Sequence, residues 1–297
     1  MQILIAGASG FLGKRLIPYL RGHGHQVTQL VRRPTRNAGE VRWDPAAGVL
    51  DATVLSTVDA VINLAGAGVG EKRWTAQYKK ALVDSRIDTT TTLAKTIAAA
   101  EPRPRILLNS SAVGYYGDTG DRAVEEQSPA GDGFLADLCK VWEAATRPAE
   151  DAGVRVALLR TGFPLARDGG LFQPMYLQFK LFAGGRMGSG RQYLPWISMP
   201  DWLAGIGFLL DSDVAGPVNL TGPDPVTNAA FSAALARQLH RPNLIPVPGF
   251  ALRAALGEFG GEALASQRVL PAVLLRKGFA FQHPTVEQAI ASALTLD

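Results

Sequence analysis

A glycine-spaced run, Gly7 to Gly13 (GASGFLG), directly follows the apolar stretch Gln2 to Ala6 at the start of the chain. A chain that leaves a buried strand through such a turn and enters a helix can hold a dinucleotide. Glycine is needed where the turn is tight, where the backbone must touch a pyrophosphate, and where the helix packs on the strand. The helix N-terminus then meets the phosphates with free N–H groups and the positive end of its dipole. The spacing alone is a weak signal, but a strand before it and a helix after it make it a strong one. Gly7, Ser9, Gly10, Phe11, Leu12 and Gly13 are therefore expected to cradle the cofactor.

The rest of the chain supports that frame. Short aliphatic runs at Gln2 to Ala6, Gln26 to Val31, Asp59 to Leu64, Arg105 to Asn109 and Val154 to Arg160 alternate with helical patterns at Phe11 to Arg21, Thr75 to Ala100 and Gly133 to Ala152. Such alternation predicts βαβ units around a parallel sheet buried on both faces. Pro18 inside the first helix predicts a bend. The expected fold is α/β, a Rossmann doubly wound parallel sheet over residues 1–165, with a smaller C-terminal substrate lobe over residues 166–297. Val218 to Leu220 reads as a strand returning to the sheet. Leu171 to Ala183, between glycine-rich breaks, suits a lid over a cleft. Thr227 or Asn228 caps a helix to Leu239. After Pro242 to Pro248 comes a small unit: a helix to Arg276, a strand through Phe279 to Gln282, and a helix opened by the capping box Thr285 and Gln288.

The end of the second strand selects the cofactor. An NAD enzyme places Asp or Glu about 20 residues past the loop to hold the ribose hydroxyls. Here no acidic residue occurs from Lys14 to Gly39, and the strand ends Val31, Arg32, Arg33. A guanidinium in that place grips a 2′-phosphate that a carboxylate would repel. NADP is the expected cofactor, with Arg32 and Arg33 as its phosphate contacts.

Composition narrows the partners. The chain has 297 residues, 47% of them apolar, enough for a substantial core. Its 30 basic and 26 acidic residues are mixed along the sequence, which points to neither a nucleic-acid groove nor a polybasic membrane anchor. One cysteine excludes an internal disulfide, and the four histidines stand at no metal-ligand spacing. No apolar run approaches the roughly 20 residues of a membrane span. A soluble, cytoplasmic protein that acts on a small molecule is expected.

With the glycine loop, Asn63-Leu64-Ala65-Gly66 and the segment Ser110 to Gly117 (SSAVGYYG) in view, the sequence resembles the extended and atypical short-chain dehydrogenases of the NAD(P)-dependent epimerase/dehydratase superfamily. Trp43-Asp44, Ser85-Arg86, Trp142-Glu143, Pro195-Trp196-Ile197, Asp201 and the unit from about Phe250 are similar to the branch called epimerase family proteins. The resemblance implies that Leu64, Ala65 and Gly66 line the adenosine side. It also implies that Arg86 and the loop Thr161 to Pro164 approach the cofactor, and that residues after Ala166 build the substrate lobe. Many relatives dimerise through long helices, which leaves a homodimer open.

The same resemblance exposes a departure. In the superfamily a tyrosine four residues before a lysine transfers the proton as hydride moves, aided by a Ser or Thr hydroxyl. Here Lys140 is present, but the tyrosine position is Ala136, and the hydroxyl position falls on Ala112 with Ser111 one residue early. Tyr115 and Tyr116 are the nearest phenols. Ser111, Tyr115, Tyr116 and Lys140 are therefore the catalytic candidates of an oxidoreductase or epimerase acting on a carbonyl or secondary alcohol. A protein that holds NADPH without turnover is the alternative that Ala136 favours.

Overall fold

In the computed structural model, which describes residues 1–295, seven parallel strands form the central sheet: β1 (Gln2–Ala6), β2 (Gln26–Val31), β3 (Glu40–Arg42), β4 (Ala60–Asn63), β5 (Ile106–Ala112), β6 (Arg155–Thr161) and β7 (Gly216–Leu220). Their spatial order is β7-β6-β5-β4-β1-β2-β3. The order reverses between β1 and β4, so the chain leaves these neighbours in opposite directions and opens a crevice at their carboxyl ends.

Helices cover both faces because the strands are apolar on both. Ile3, Ile5, Ile62 and Leu108 pack against α1 (Gly13–Gly22) and the helix Met199–Asp211, whereas Leu4, Val61 and Leu107 pack against α2 (Ala76–Ala99). The helix α1 runs on through Pro18. The side chain of Thr75 caps α2 by accepting from Tyr78 N at 3.1 Å. Beyond Ala166 the chain builds a second core, in which Phe172 and Phe179 of the helix Phe172–Lys180 meet Phe163, Phe231 of the helix Asn228–Leu239, and Ile290 of the helix Val286–Thr295.

Several expectations change here. The helical pattern Gly133 to Ala152 is two helices, α3 (Phe134–Ala144) and Arg147–Asp151, parted where Pro148 can give no backbone N–H to the preceding turn. Phe279 to Gln282 forms no strand. Its alternating aromatics pack instead as a perpendicular pair, Phe279 on Phe281 at 4.8 Å, with Phe208 against Phe279. Two parallel pairings were not expected: Phe163–Leu165 with Trp196–Ser198, and Ala123–Val124 with Arg268–Val269. The second ties the C-terminal unit to the loop after β5. The Thr285 and Gln288 capping box forms, each side chain accepting from the other's backbone N–H. Among the described residues, no helix is long and apolar enough to cross a membrane.

Candidate cofactor and active site

The glycine loop folds as its chemistry requires. Gly7 has φ +82°, and a Cβ there would lie 2.5 Å from the Leu64 carbonyl carbon. A Cβ on Gly13 would lie 2.4 Å from Gly7 O. Gly10 differs: it is exposed, and its nearest neighbour would be Gly7 O at 3.3 Å. Gly7 and Gly13 thus close the turn, while Gly10 leaves open the space over it. The backbone N–H groups of Phe11, Leu12 and Gly13 find no acceptor among the described residues and remain available to an anion. Phe11 stays beside the loop, under the Arg15 guanidinium and against Gly169 and Gly170. An ion pair between Arg15 and Asp168 fastens the turn that leads into Phe172–Lys180.

Across the crevice, β4 ends in a buried polar knot. Asn63 Nδ2 donates to Asn109 Oδ1 at 2.8 Å and to Thr90 Oγ1 at 3.1 Å, and Asn63 Oδ1 accepts from Ala65 N. Trp142 Nε1 also donates to Thr90 Oγ1. The knot joins β4, β5, α2 and α3, and it fixes the Leu64 to Gly66 turn that presses on Gly7. Arg86 packs beneath that turn, its guanidinium carbon 3.3 Å from where a Gly66 Cβ would be. It is 9% exposed, stacks on Trp142 and has no carboxylate partner among the described residues; burial pushes its pKa down. A buried cation without a counter-charge, at the carboxyl edge, is suited to an anionic group of a dinucleotide.

The two arginines after β2 part company. Arg32 is exposed and has no partner among the described residues. Arg33, expected to share the 2′-phosphate, is instead held by both oxygens of Glu40 at 2.6 and 2.9 Å. The Arg33 guanidinium, with Arg36 N, holds the Glu40 carboxyl at about 2. Arg33 is thereby a strut of the turn, and Arg32 is the free guanidinium. The donor set therefore fits an NADP phosphate through one arginine.

The catalytic candidates lie in unequal roles at the end of β5 (Ser111), on the turn after it (Tyr115 and Tyr116) and on α3 (Lys140). Ser111 is buried on the α3 side of β5, as strand alternation predicts, and its hydroxyl donates to Glu143 Oε1 at 2.6 Å. Its proton is committed to a carboxylate, so it cannot donate to a substrate oxygen. Glu143 also binds Arg160 through two bonds of 2.8 Å. Burial alone would lower the Arg160 pKa, but Glu143 more than offsets it and holds the guanidinium above its ordinary range. Arg160 in turn donates to Tyr116 Oη at 3.0 Å, and Tyr116 donates to Asn219 Oδ1 at 2.7 Å. Burial pushes the Tyr116 phenol up to about 12. A fully buried, doubly bonded phenol ties the turn Val113–Tyr116 to β6 and β7 as a structural group, which corrects its place among the proton donors.

Tyr115 stands apart. It is half-buried, the Arg160 guanidinium lies 3.5 Å from its ring centre, and its hydroxyl has no partner among the described residues. Lys140 is half-exposed and bonded to Asp137 at 2.6 Å, on the helix α3 that packs against the turn Val113–Tyr116. Ala136 is buried. Pro164 lies in the short pairing with Ile197 at the end of β6, half-buried at the same sheet edge. The sequence reading missed Glu143 and Arg160 as a pair. An arginine at the end of an otherwise apolar strand run is the signal that could have found them.

Known proteins place these features in context. The model described as NAD dependent epimerase/dehydratase family matches residues 3–137, and that of a domain of unknown function, DUF1731, matches residues 247–293. An epimerase family protein of Mycobacterium leprae is 46% identical, over 99% of this chain and 95% of its own. The mouse epimerase family protein SDR39U1 is 36% identical over 98% of each chain. The human epimerase family protein SDR39U1, solved as a crystal structure with NADPH, is 34% identical, with a TM-score of 0.92 over the whole of both chains.

Proposed function

Because the chain belongs to the epimerase family proteins, within the NAD dependent epimerase/dehydratase family, we propose that it binds NADP(H) at the carboxyl edge of its sheet and uses Tyr115 as acid and base on a small carbonyl or secondary alcohol. The Tyr115 hydroxyl, without a partner among the described residues on the turn at the carboxyl end of β5, carries this reading, with the NADPH of the human relative in support. When bound, the cofactor supplies or accepts hydride. The chain's residues do the rest. Gly10 and the N–H groups of Phe11 to Gly13 receive the pyrophosphate, and Arg32 pairs with the 2′-phosphate. Arg160, itself fixed by Glu143, holds the Tyr115 ring so that its hydroxyl meets a substrate oxygen. Lys140 serves near that phenol rather than beside a tyrosine on its own helix.

Turnover of a carbonyl panel with NADPH tests this reading. Tyr115→Phe should lower kcat about 10²- to 10⁴-fold with NADPH affinity intact, the range for a lost general acid. Tyr116→Phe should instead lower stability. An unchanged kcat in Tyr115→Phe would overturn the assignment. Tight NADPH binding without any turnover would favour the second reading, a non-catalytic NADPH sensor, which rests on Ala136.

Cofactor choice has its own test. Losing a charge-assisted contact costs about 1.5–3 kcal/mol, so Arg32→Ala should weaken NADPH binding at least about tenfold and leave NADH nearly unaffected. Arg33→Ala should act on the stability of the turn first. Equal losses for both cofactors in Arg32→Ala would refute the phosphate contact.

A further inference from the structure

Exposed apolar side chains concentrate on one face. Leu177, Leu181 and Phe182 stand out at the end of the helix Phe172–Lys180, and Leu244 and Ile245 in the connection before the helix Gly249–Leu256; Leu181 is 75% and Leu244 79% exposed. Several contacts join the segments. Ile245 N donates to Gly184 O at 3.2 Å, and the Arg241 guanidinium lies 4.3 Å from the Phe182 ring centre. The helix Phe172–Lys180 thus buries Phe172 and Phe179 inside, while Leu177 on its outer side is left to solvent.

Phe182 is the telling residue. Its φ is +62°, the left-handed conformation that ends a helix and that glycine adopts without strain. Ala183 N reaches back to Gln178 O, as at such helix ends. A phenylalanine there strains the backbone and exposes an aromatic ring, and a partner for the ring offsets both.

Charge identifies the partner. Residues 169–200 and 225–257 contain Lys180, Arg186, Arg191, Arg237, Arg241 and Arg253 but no Asp or Glu, which leaves 24 basic against 26 acidic residues in the rest of the chain. Next to the apolar tip, a cavity of about 450 Å³ is lined by Ala233, Ala236, Arg237, His240, Arg241 and Asn243. The buried Arg241 Nε finds no acceptor among the described residues. Of the six cations, Arg237 alone has an acidic partner among the described residues, Glu287.

We infer that this face docks on an anionic phospholipid bilayer. Leu181, Phe182, Leu244 and Ile245 enter the interface, and the surrounding cations meet headgroup phosphates. Lys180 adjoins Leu181 in the chain, the Arg241 guanidinium lies on the Phe182 ring, and Arg186 O accepts from Val247 N two residues past Ile245, so three cations border the apolar tip. This inference is independent of the cofactor assignment.

Flotation of the full chain with vesicles tests it, using phosphatidylcholine alone and equal parts phosphatidylcholine and phosphatidylglycerol. The protein should float with the mixed vesicles, less so as salt is raised, and hardly with the neutral ones. Phe182→Gly should weaken partition about 10- to 100-fold, the effect of removing one inserted aromatic side chain. Its Tm should be unchanged or higher, because glycine relieves the positive φ. Three results would overturn the inference: no flotation with the mixed vesicles, equal flotation with both, or a Phe182→Gly variant that partitions like the parent. A dimer that Phe182→Gly dissociates, with no flotation of the parent, would assign the face to a second copy instead.

Discussion

Glu143→Gln is expected to cost about 3–5 kcal/mol of stability, the cost of leaving a buried charge without its partner. The variant keeps the shape of the side chain and an oxygen for Ser111, so the loss isolates the charge. The Arg160 and Glu143 side chains are only 4% and 11% exposed, and solvent cannot replace the missing carboxylate. Arg160 also donates to Tyr116 and to the Glu126 carbonyl, so it cannot turn away without orphaning both. Thermal unfolding should show the loss as a fall in Tm of roughly 5–10 °C. The double variant Arg160→Met with Glu143→Leu should recover only part of it, because Ser111 and Tyr116 keep polar groups that then lack partners. A single-variant loss below about 1 kcal/mol, the size of an exposed ion pair, would contradict the structure of this network.

This network also shows where the sequence is informative. The bounds of β1 and β2 follow from apolar runs stopped by glycine or charge, and both match the structure to the residue. The glycine loop is legible because its neighbours along the chain define its purpose. The site's second tier depends on residues far apart in sequence. Asn63, Thr90 and Asn109 look like ordinary polar positions until three elements bring them together. Arg33 reads as a phosphate ligand until β3, too short to be recognised, delivers Glu40 to it. Phe279 to Gln282 alternates like a strand, but alternation does not supply a neighbouring edge to pair with. The charge of the outer face was invisible for the same reason: its two segments are separated in sequence by the strand β7 and meet through long-range contacts such as Ile245 N with Gly184 O and Val247 N with Arg186 O.

The C-terminal unit is tied to the site by similar long-range bonds. Glu126 Oε1 accepts from Asn219 N and Val273 N, both at 3.1 Å, and Thr221 Oγ1 donates to Val269 O. Trp74 packs on Phe134 and Phe259, and Gly70 faces Phe259 and Leu171, so the loop after β4, α3, the helix Phe172–Lys180 and the C-terminal unit converge beyond the crevice. The substrate end of the proposed site is therefore bordered by parts of the chain that the glycine loop alone does not reveal.

The account as a whole rests on a dinucleotide lying over the Gly7 to Gly13 turn, and Gly10→Val tests that claim most directly. The position is exposed, and a Cβ there would approach only Gly7 O, at 3.3 Å, so the variant should melt close to the parent. Its isopropyl group would occupy the space of the pyrophosphate and separate it from the N–H groups of Phe11 to Gly13. Losing two such charge-assisted contacts, at about 1.5–3 kcal/mol each, corresponds to a fall in NADPH affinity of about 10²- to 10⁴-fold. Calorimetric titration of NADPH into both proteins should show binding to the parent and none measurable to the variant. A folded Gly10→Val that binds NADPH as the parent does would place the cofactor elsewhere and contradict the account.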